Sequence, residues 1–200
     1  GERIAADAVI AAVPWFSLGA LFGGVRPPAL GPVLDGAAGM SSMPIVTVNL
    51  WYDRQVMDEP FVGLPGRDMQ WVFDKRLAFG GGASHLSLVS SGAVALAGMA
   101  NDELIALAAA EMREGLPGAR GAVLVRATVV REKQATFSLA PGQPRRPGCR
   151  TPIRGLYLAG DWIDTGLPGT IESAVVSGHR AARAVLAAPC PSAGPPPINH

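Results

Sequence analysis

The sequence is short of charge, cysteine and long apolar runs, and each shortage closes a class of function. Only 16% of its 200 residues are Asp, Glu, Lys or Arg, and the net charge is +1. So neutral a chain has no electrostatic case for nucleic acid, whose phosphates demand clustered Lys and Arg. Its two cysteines, Cys149 and Cys190, lie in Pro/Gly-rich stretches and match neither a metal-ligand spacing nor a redox pair. They read as free thiols in a reducing compartment. The three histidines, His85, His179 and His200, are scattered, so no zinc site is expected. The longest uncharged apolar stretch, residues 86–100, is interrupted by Ser90, Ser91 and Gly92. It falls short of the roughly 20 apolar residues that cross a bilayer. No signal-peptide pattern opens the chain. G-x-S-x-G, a P-loop and a Cys/His pair are missing, so hydrolase and nucleotidase chemistry finds no support. G-x-G-x-x-G is missing too, because Gly80-Gly81-Gly82 runs into Ala83-Ser84-His85 and fails the spacing.

What is present is a core. A hydrophobic share of 48% describes a packed protein, enough for one sizeable domain or parts of two. Gly1 stands where an initiator Met would, so the chain is expected to be a piece of something longer. Residues 7–14 form a continuous apolar run closed by Pro14, which suits a buried strand of a parallel sheet. Residues 15–22 and 29–40 read as helices, and 44–52, 69–73, 86–90 and 123–130 as strands. Asn101 is the expected N-cap of a helix over 102–114 with Gly115 as its stop, and Asp102, Glu103, Glu111 and Glu114 read as a solvated face. Residues 139–152 carry four prolines and read as a loop or linker; 189–200 read as a disordered tail. Trp51, Tyr52, Trp71 and Phe73 are either core or the lining of an apolar channel. The fold class is α/β, mixed: a sheet begun by one parallel-type strand, interrupted by a mostly antiparallel region, and closed by a strand-helix unit.

That closing unit is the most informative stretch. Leu156-Tyr157-Leu158-Ala159 is a short buried strand, Asp161 stands at its carboxyl end, a Gly/Pro turn follows, and a helix runs over 171–186. Ile171, Ala174, Val175, Ala182, Val185 and Leu186 recur at helical spacing and are expected to form the buried face, with Gly178 permitting close packing. Ligands of open α/β sheets bind outside the carboxyl ends of strands, and a helix start there offers unpaired N–H groups and partial positive charge. Candidate ligand contacts are Gly160, Asp161, Gly166, Leu167, Pro168, Gly169, Thr170, Ile171 and Glu172, with Pro14 as a further candidate or simply a strand terminator. Asp161 either contacts the ligand or caps a turn; Asp164 reads as a turn cap. No catalytic residue is evident.

The segment Gly155-Leu-Tyr-Leu-Ala-Gly-Asp-Trp162, with Thr165-Gly-Leu-Pro168, Thr170-Ile-Glu172 and Ser177-Gly178, resembles the C-terminal flavin-binding motif of the FAD-dependent amine oxidase and carotenoid desaturase superfamily. With Ala135-Thr-Phe137 it is most similar to the squalene-associated branch, the hydroxysqualene dehydroxylases. Asp7–Trp15 and Pro44–Asp53 carry the likeness more loosely. The resemblance implies the C-terminal portion of a two-domain flavoprotein: 1–40 and 135–188 in an FAD-binding domain, 41–134 in a substrate domain. It implies FAD held with its ring near residues 160–172 and its ADP portion held by an N-terminal remainder of the same protein. It further implies conversion of hydroxysqualene to squalene, an apolar isoprenoid substrate, and a cytoplasmic protein in peripheral contact with the inner membrane face. The alternatives are a phytoene-type desaturase, an amine oxidase, or a non-catalytic remnant.

Overall fold

The computed structural model describes residues 2–188; the expected tail lies outside them. The chain divides into two compact units, one built from the segments up to Ser41 and from Phe137 onward, the other from Ser42–Thr136.

In the first unit, β1 (Val9–Ala11) pairs in parallel with β7 (Leu156–Leu158), Val9 opposite Leu156 and Ala11 opposite Leu158. β1 is shorter than the apolar run that encodes it. A 3-10 segment, Trp15–Phe22, follows Pro14, whose fixed φ and missing N–H suit a helix entrance. Then comes α1 (Gly31–Gly39). Trp15, Leu18, Leu30, Leu34, Phe137, Leu158, Trp162 and Ile163 pack into one core. The two chain crossings between units are stitched where they leave this one. The Ser138 N–H donates to the Ser41 carbonyl at 2.8 Å, and the Ser41 N–H donates to Gln143 Oε1 at 2.8 Å.

The closing helix, α5, runs Ile171–Leu186 as its sequence predicts, but a different face is buried. Ser173, Ser177, Ala181 and Ala184 point inward, while Ile171 and Leu186 are 87% and 85% exposed. Small side chains let the helix backbone approach β7 closely, so size rather than hydrophobicity selects the buried stripe. Gly178 does not serve that packing, since a Cβ there would meet nothing within 4 Å.

In the second unit the sheet order is β3-β4-β5-β2-β6: β2 (Ser42–Tyr52), β3 (Phe61–Gly63), β4 (Trp71–Asp74), β5 (His85–Ser91) and β6 (Leu124–Phe137). β6 extends well beyond the predicted 123–130, and β3 was not expected. Short helices α2 (Arg76–Phe79) and α3 (Val94–Ala97) precede α4 (Asn101–Gly115). The helix N-cap is Ala100, not Asn101: the Glu103 carboxylate accepts the Ala100 N–H at 2.9 Å, while Asn101 Oδ1 accepts from Arg131. Val46, Val48, Leu50, Tyr52, Val72, Leu86 and Leu88 form one sheet face and pack with Leu104, Ala108 and Met112 of α4. Tyr52 is thus core, not channel. Glu111 is also buried rather than solvated, accepting the N–H groups of Asp68 (2.8 Å) and Met69 (3.0 Å).

The opposite sheet face is partly exposed and aromatic at its edge. Strand register sets Phe61 opposite Phe73, Phe73 opposite Ser87 and Ser87 opposite Asn49. On one side of this row Trp71 opposes Val89 and Val89 opposes Thr47, and on its other side Trp51 opposes His85.

Candidate functional site

Because β1 and β7 are parallel, their carboxyl ends lie together, and α5 begins beside them. Gly160 ends β7 with φ 144, a backbone region that side-chain-bearing residues rarely adopt. A Cβ there would stand 2.8 Å from the Trp162 indole. Trp162 is fully buried, and its Nε1 donates to the Val13 carbonyl at 2.9 Å. Burying so large a ring contributes about 3 kcal/mol. The indole thus joins the residue before Pro14 to the turn that carries Asp161, and the structure brings these sequence candidates to one place.

Hydroxyls then attach α5 to this turn. Ser177 Oγ accepts the Gly160 N–H at 2.8 Å and donates to the Ala174 carbonyl at 2.7 Å. Ser173 Oγ donates to the Asp161 carbonyl at 3.1 Å and shares a 2.6 Å contact with Thr165 Oγ1, which accepts the Leu167 N–H at 3.2 Å. Thr170 caps the helix, its Oγ1 accepting the Ser173 N–H at 3.2 Å and its carbonyl the Ala174 N–H at 3.1 Å. The N–H groups of Ile171 and Glu172 are left without partners among the described residues, as the first turn of a helix requires. They open to solvent with Gly166, Pro168 and Thr170, all exposed; Leu167 and Gly169 are half-buried.

Two arginines brace the turn from outside. Arg146 donates to the carbonyls of Leu167 (2.8 Å) and Ile163 (3.4 Å), and its guanidinium lies 5.1 Å from the centre of the Phe137 ring. Arg180, two residues beyond Gly178, donates to the carbonyls of Asp164 (3.0 Å) and Thr165 (3.1 Å). Four carbonyls of the 163–167 turn are thus paired with guanidinium groups. Residues 139–152 are therefore more than a linker: besides Arg146 they supply the Cys149 carbonyl to Leu158 N–H, at 2.8 Å. Asp164 is exposed and lies 3.7 Å from Arg146.

Asp161 is half-buried. Burial raises its carboxyl above the ordinary range, opposed by its own and the Trp162 N–H groups and by Arg146. Among the described residues no cluster of His, Cys, Asp or Glu could hold a metal.

A glycine turn without side chains, open amide donors, a helix start and one carboxylate suit an electron-rich polar ring beside a hydroxylated chain; a bare phosphate would be repelled by Asp161. Sequence reasoning missed Ser173, Arg146 and Arg180, and named Trp162, Thr165 and Ser177 only as part of the motif, without their bonding roles. The repeat of small residues at 173, 177, 181 and 184 was the available signal.

Residues 1–186 match the family described as flavin containing amine oxidoreductase. A hydroxysqualene dehydroxylase of Rhodopseudomonas palustris is 62% identical over 61 residues, 30% of this chain and 15% of that protein. One from Sinorhizobium fredii is 32% identical over 181 residues, covering 90% of this chain and 39% of that protein. Among solved structures, a putrescine oxidase bound to putrescine superposes with a TM-score of 0.63 at 17% identity, covering 90% of this chain and 43% of that one. The chain spans less than half the length of these relatives.

Proposed function

The chain belongs to the flavin containing amine oxidoreductase family, and from that premise we propose that it is part of an FAD-dependent enzyme that converts hydroxysqualene to squalene. The observation that carries the flavin reading is the convergence of Val13–Pro14, Gly160–Asp161 and the start of α5 at one sheet end. The substrate assignment is supported by the likeness to two proteins named hydroxysqualene dehydroxylase.

Bound FAD in its reduced form would supply the hydride that replaces the departing hydroxyl. This chain's residues position and shield. The Ile171 and Glu172 amides and the α5 dipole would favour negative charge on a flavin ring held near them, and so would raise its potential. Asp161 would accept hydrogen bonds from the hydroxylated chain of a bound FAD. Arg146 and Arg180 pair the carbonyl oxygens of the 163–167 turn and so hold its shape. In the second unit Phe61, Trp71, Phe73 and Trp51 offer a partly exposed apolar surface for an isoprenoid.

The ADP portion is assigned to a strand and glycine-rich turn elsewhere in the same protein. A two-stranded parallel sheet is not stable alone, and β1 has no second partner among the described residues. Its own residues Val9 and Ile10 are 55% and 41% exposed and line a groove of about 570 Å³. We propose that the enzyme is cytoplasmic and meets its oily substrate in peripheral contact with the inner membrane face. No described helix is long and apolar enough to cross a membrane.

The test is reconstitution of the full-length protein with FAD, a reductant and hydroxysqualene. Squalene is the expected product, and its absence rejects the assignment.

A further inference from the structure

On the aromatic sheet face one polar atom is buried without a partner. His85 stacks on Trp51, ring centres 4.2 Å apart and planes 18° from parallel, and Phe79 lies over it at 6.2 Å and 20°. Arg126 extends the column, 4.8 Å from the Trp51 ring centre. Within this stack His85 Nε2 has no hydrogen-bond partner among the described residues. Leaving such a group unpaired is unfavourable, and a phenyl ring would fill the stack without that penalty. Packing alone therefore does not account for an imidazole here.

Its surroundings say what would pair with it. Burial, Lys75 and Arg126 hold the imidazole below its ordinary pKa, with Asp74 opposing. It is neutral near pH 7 and carries one donor and one acceptor, the same pair that an alcohol presents. Along β5, Ser87 shares its sheet face, and Asn49 stands opposite Ser87. His85, Ser87 and Asn49 make one polar strip between Trp51 and the Phe61, Trp71 and Phe73 edge. The surface suits a long hydrocarbon bearing a single hydroxyl. Phe79, the outer ring of the stack, is 76% exposed and is followed by Gly80 and Gly81 at φ 75 and 115.

We propose that His85 is the residue that recognises the hydroxyl group of an otherwise apolar substrate on this sheet face. The inference rests on the dehydroxylase reading and names the residue that separates a hydroxylated isoprenoid from its hydrocarbon.

The test compares full-length, FAD-loaded wild type with His85→Phe, which keeps the stack, and His85→Gln, which restores a donor and an acceptor. In turnover of hydroxysqualene, His85→Phe should raise KM by about tenfold or more with a smaller change in kcat. His85→Gln should recover part of the loss, and the flavin absorbance should be that of wild type throughout. An unchanged KM in His85→Phe, or a Gln variant no better than Phe, overturns the proposal. Tryptophan quenching by farnesol and by the matching hydrocarbon farnesene provides a second measurement that needs no turnover. Wild type should prefer the alcohol, and His85→Phe should lose that preference. A wild type that makes no squalene yet shows the His85-dependent preference sinks the function and leaves this recognition standing. Equal binding of both probes to wild type, or a preference that survives in His85→Phe, sinks the recognition itself.

Discussion

Trp162 Nε1 donates to the Val13 carbonyl at 2.9 Å, so one indole ties together the carboxyl ends of two strands 149 residues apart in sequence. The ring is fully buried, and its face is met by a glycine that can carry no side chain. Trp162→Phe keeps an aromatic ring but leaves the Val13 carbonyl unpaired. It should cost about 1–3 kcal/mol in urea unfolding of the full-length protein, and the flavin should dissociate more readily. A wild-type midpoint would show that the bond contributes nothing.

Gly160→Ala attacks the same junction from the other side. The new Cβ would meet the indole at 2.8 Å, and φ 144 strains any residue but glycine. The backbone strain alone costs about 1–3 kcal/mol, so soluble yield and bound flavin should both fall. Gly178→Ala is the control, since open space surrounds it and alanine is the better helix former. That variant should match wild type or be slightly more stable; an equal loss in both would show that neither effect belongs to the junction.

The limits of α5 were legible because a Thr cap follows a Gly/Pro turn and the run then continues unbroken to Leu186. Its buried face was not. Hydrophobicity ranks Ile171, Val175 and Leu186 first, yet the helix turns serines and alanines inward because only small side chains allow its close approach. Glu111 misled for a related reason. A glutamate on an amphipathic helix reads as solvated, and nothing local announces that Asp68 and Met69 will bring two N–H groups to it. Arg146 was hidden among prolines that signal a loop, since a loop's composition does not say which carbonyls it returns to. The likeness to a flavin-binding motif was legible because it is carried by consecutive residues, Gly155–Trp162 and Thr165–Glu172, rather than by distant partners.

Ser177→Leu tests the small-residue stripe. Ser177 is fully buried and bonds the Gly160 N–H, so a larger chain must push α5 from β7. Overpacking costs about 1–3 kcal/mol, and the orphaned amide adds to it. Ser177→Ala removes only the bond and should cost about 1 kcal/mol. Unfolding midpoints should therefore fall in the order wild type, Ala, Leu; any other order argues against a tight helix-sheet contact.

Arg146→Ala and Arg180→Ala each free two carbonyls of the 163–167 turn. Hydrogen bonds from a charged donor contribute about 1.5–3 kcal/mol, and every 1.4 kcal/mol is a tenfold change in an equilibrium constant. Flavin dissociation constants should rise about tenfold in either variant, read by fluorescence recovery of released flavin, and further in the double variant. Unchanged affinity in both would show that the turn keeps its shape without them.

The second unit offers a pH test in which the sign is fixed by its geometry. Asp53 is exposed, pairs with Arg54 at 2.8 Å and accepts the Val123 N–H at 2.9 Å, which lowers its carboxyl from 3.8 to about 2. A carboxyl lowered by folding stabilises the fold above its unfolded value and loses that contribution as pH falls through the folded one. The contribution should therefore be intact above about pH 4 and vanish toward pH 2, with Val123 released as the proton is taken up. Carboxyl carbon shifts should titrate with a midpoint of about 2, and the Val123 amide shift should move with the same midpoint. Arg54→Ala removes the largest cause and should raise that midpoint toward 3.8. If the Asp53 carboxyl titrates at its ordinary value in wild type, the pairing does not hold in solution.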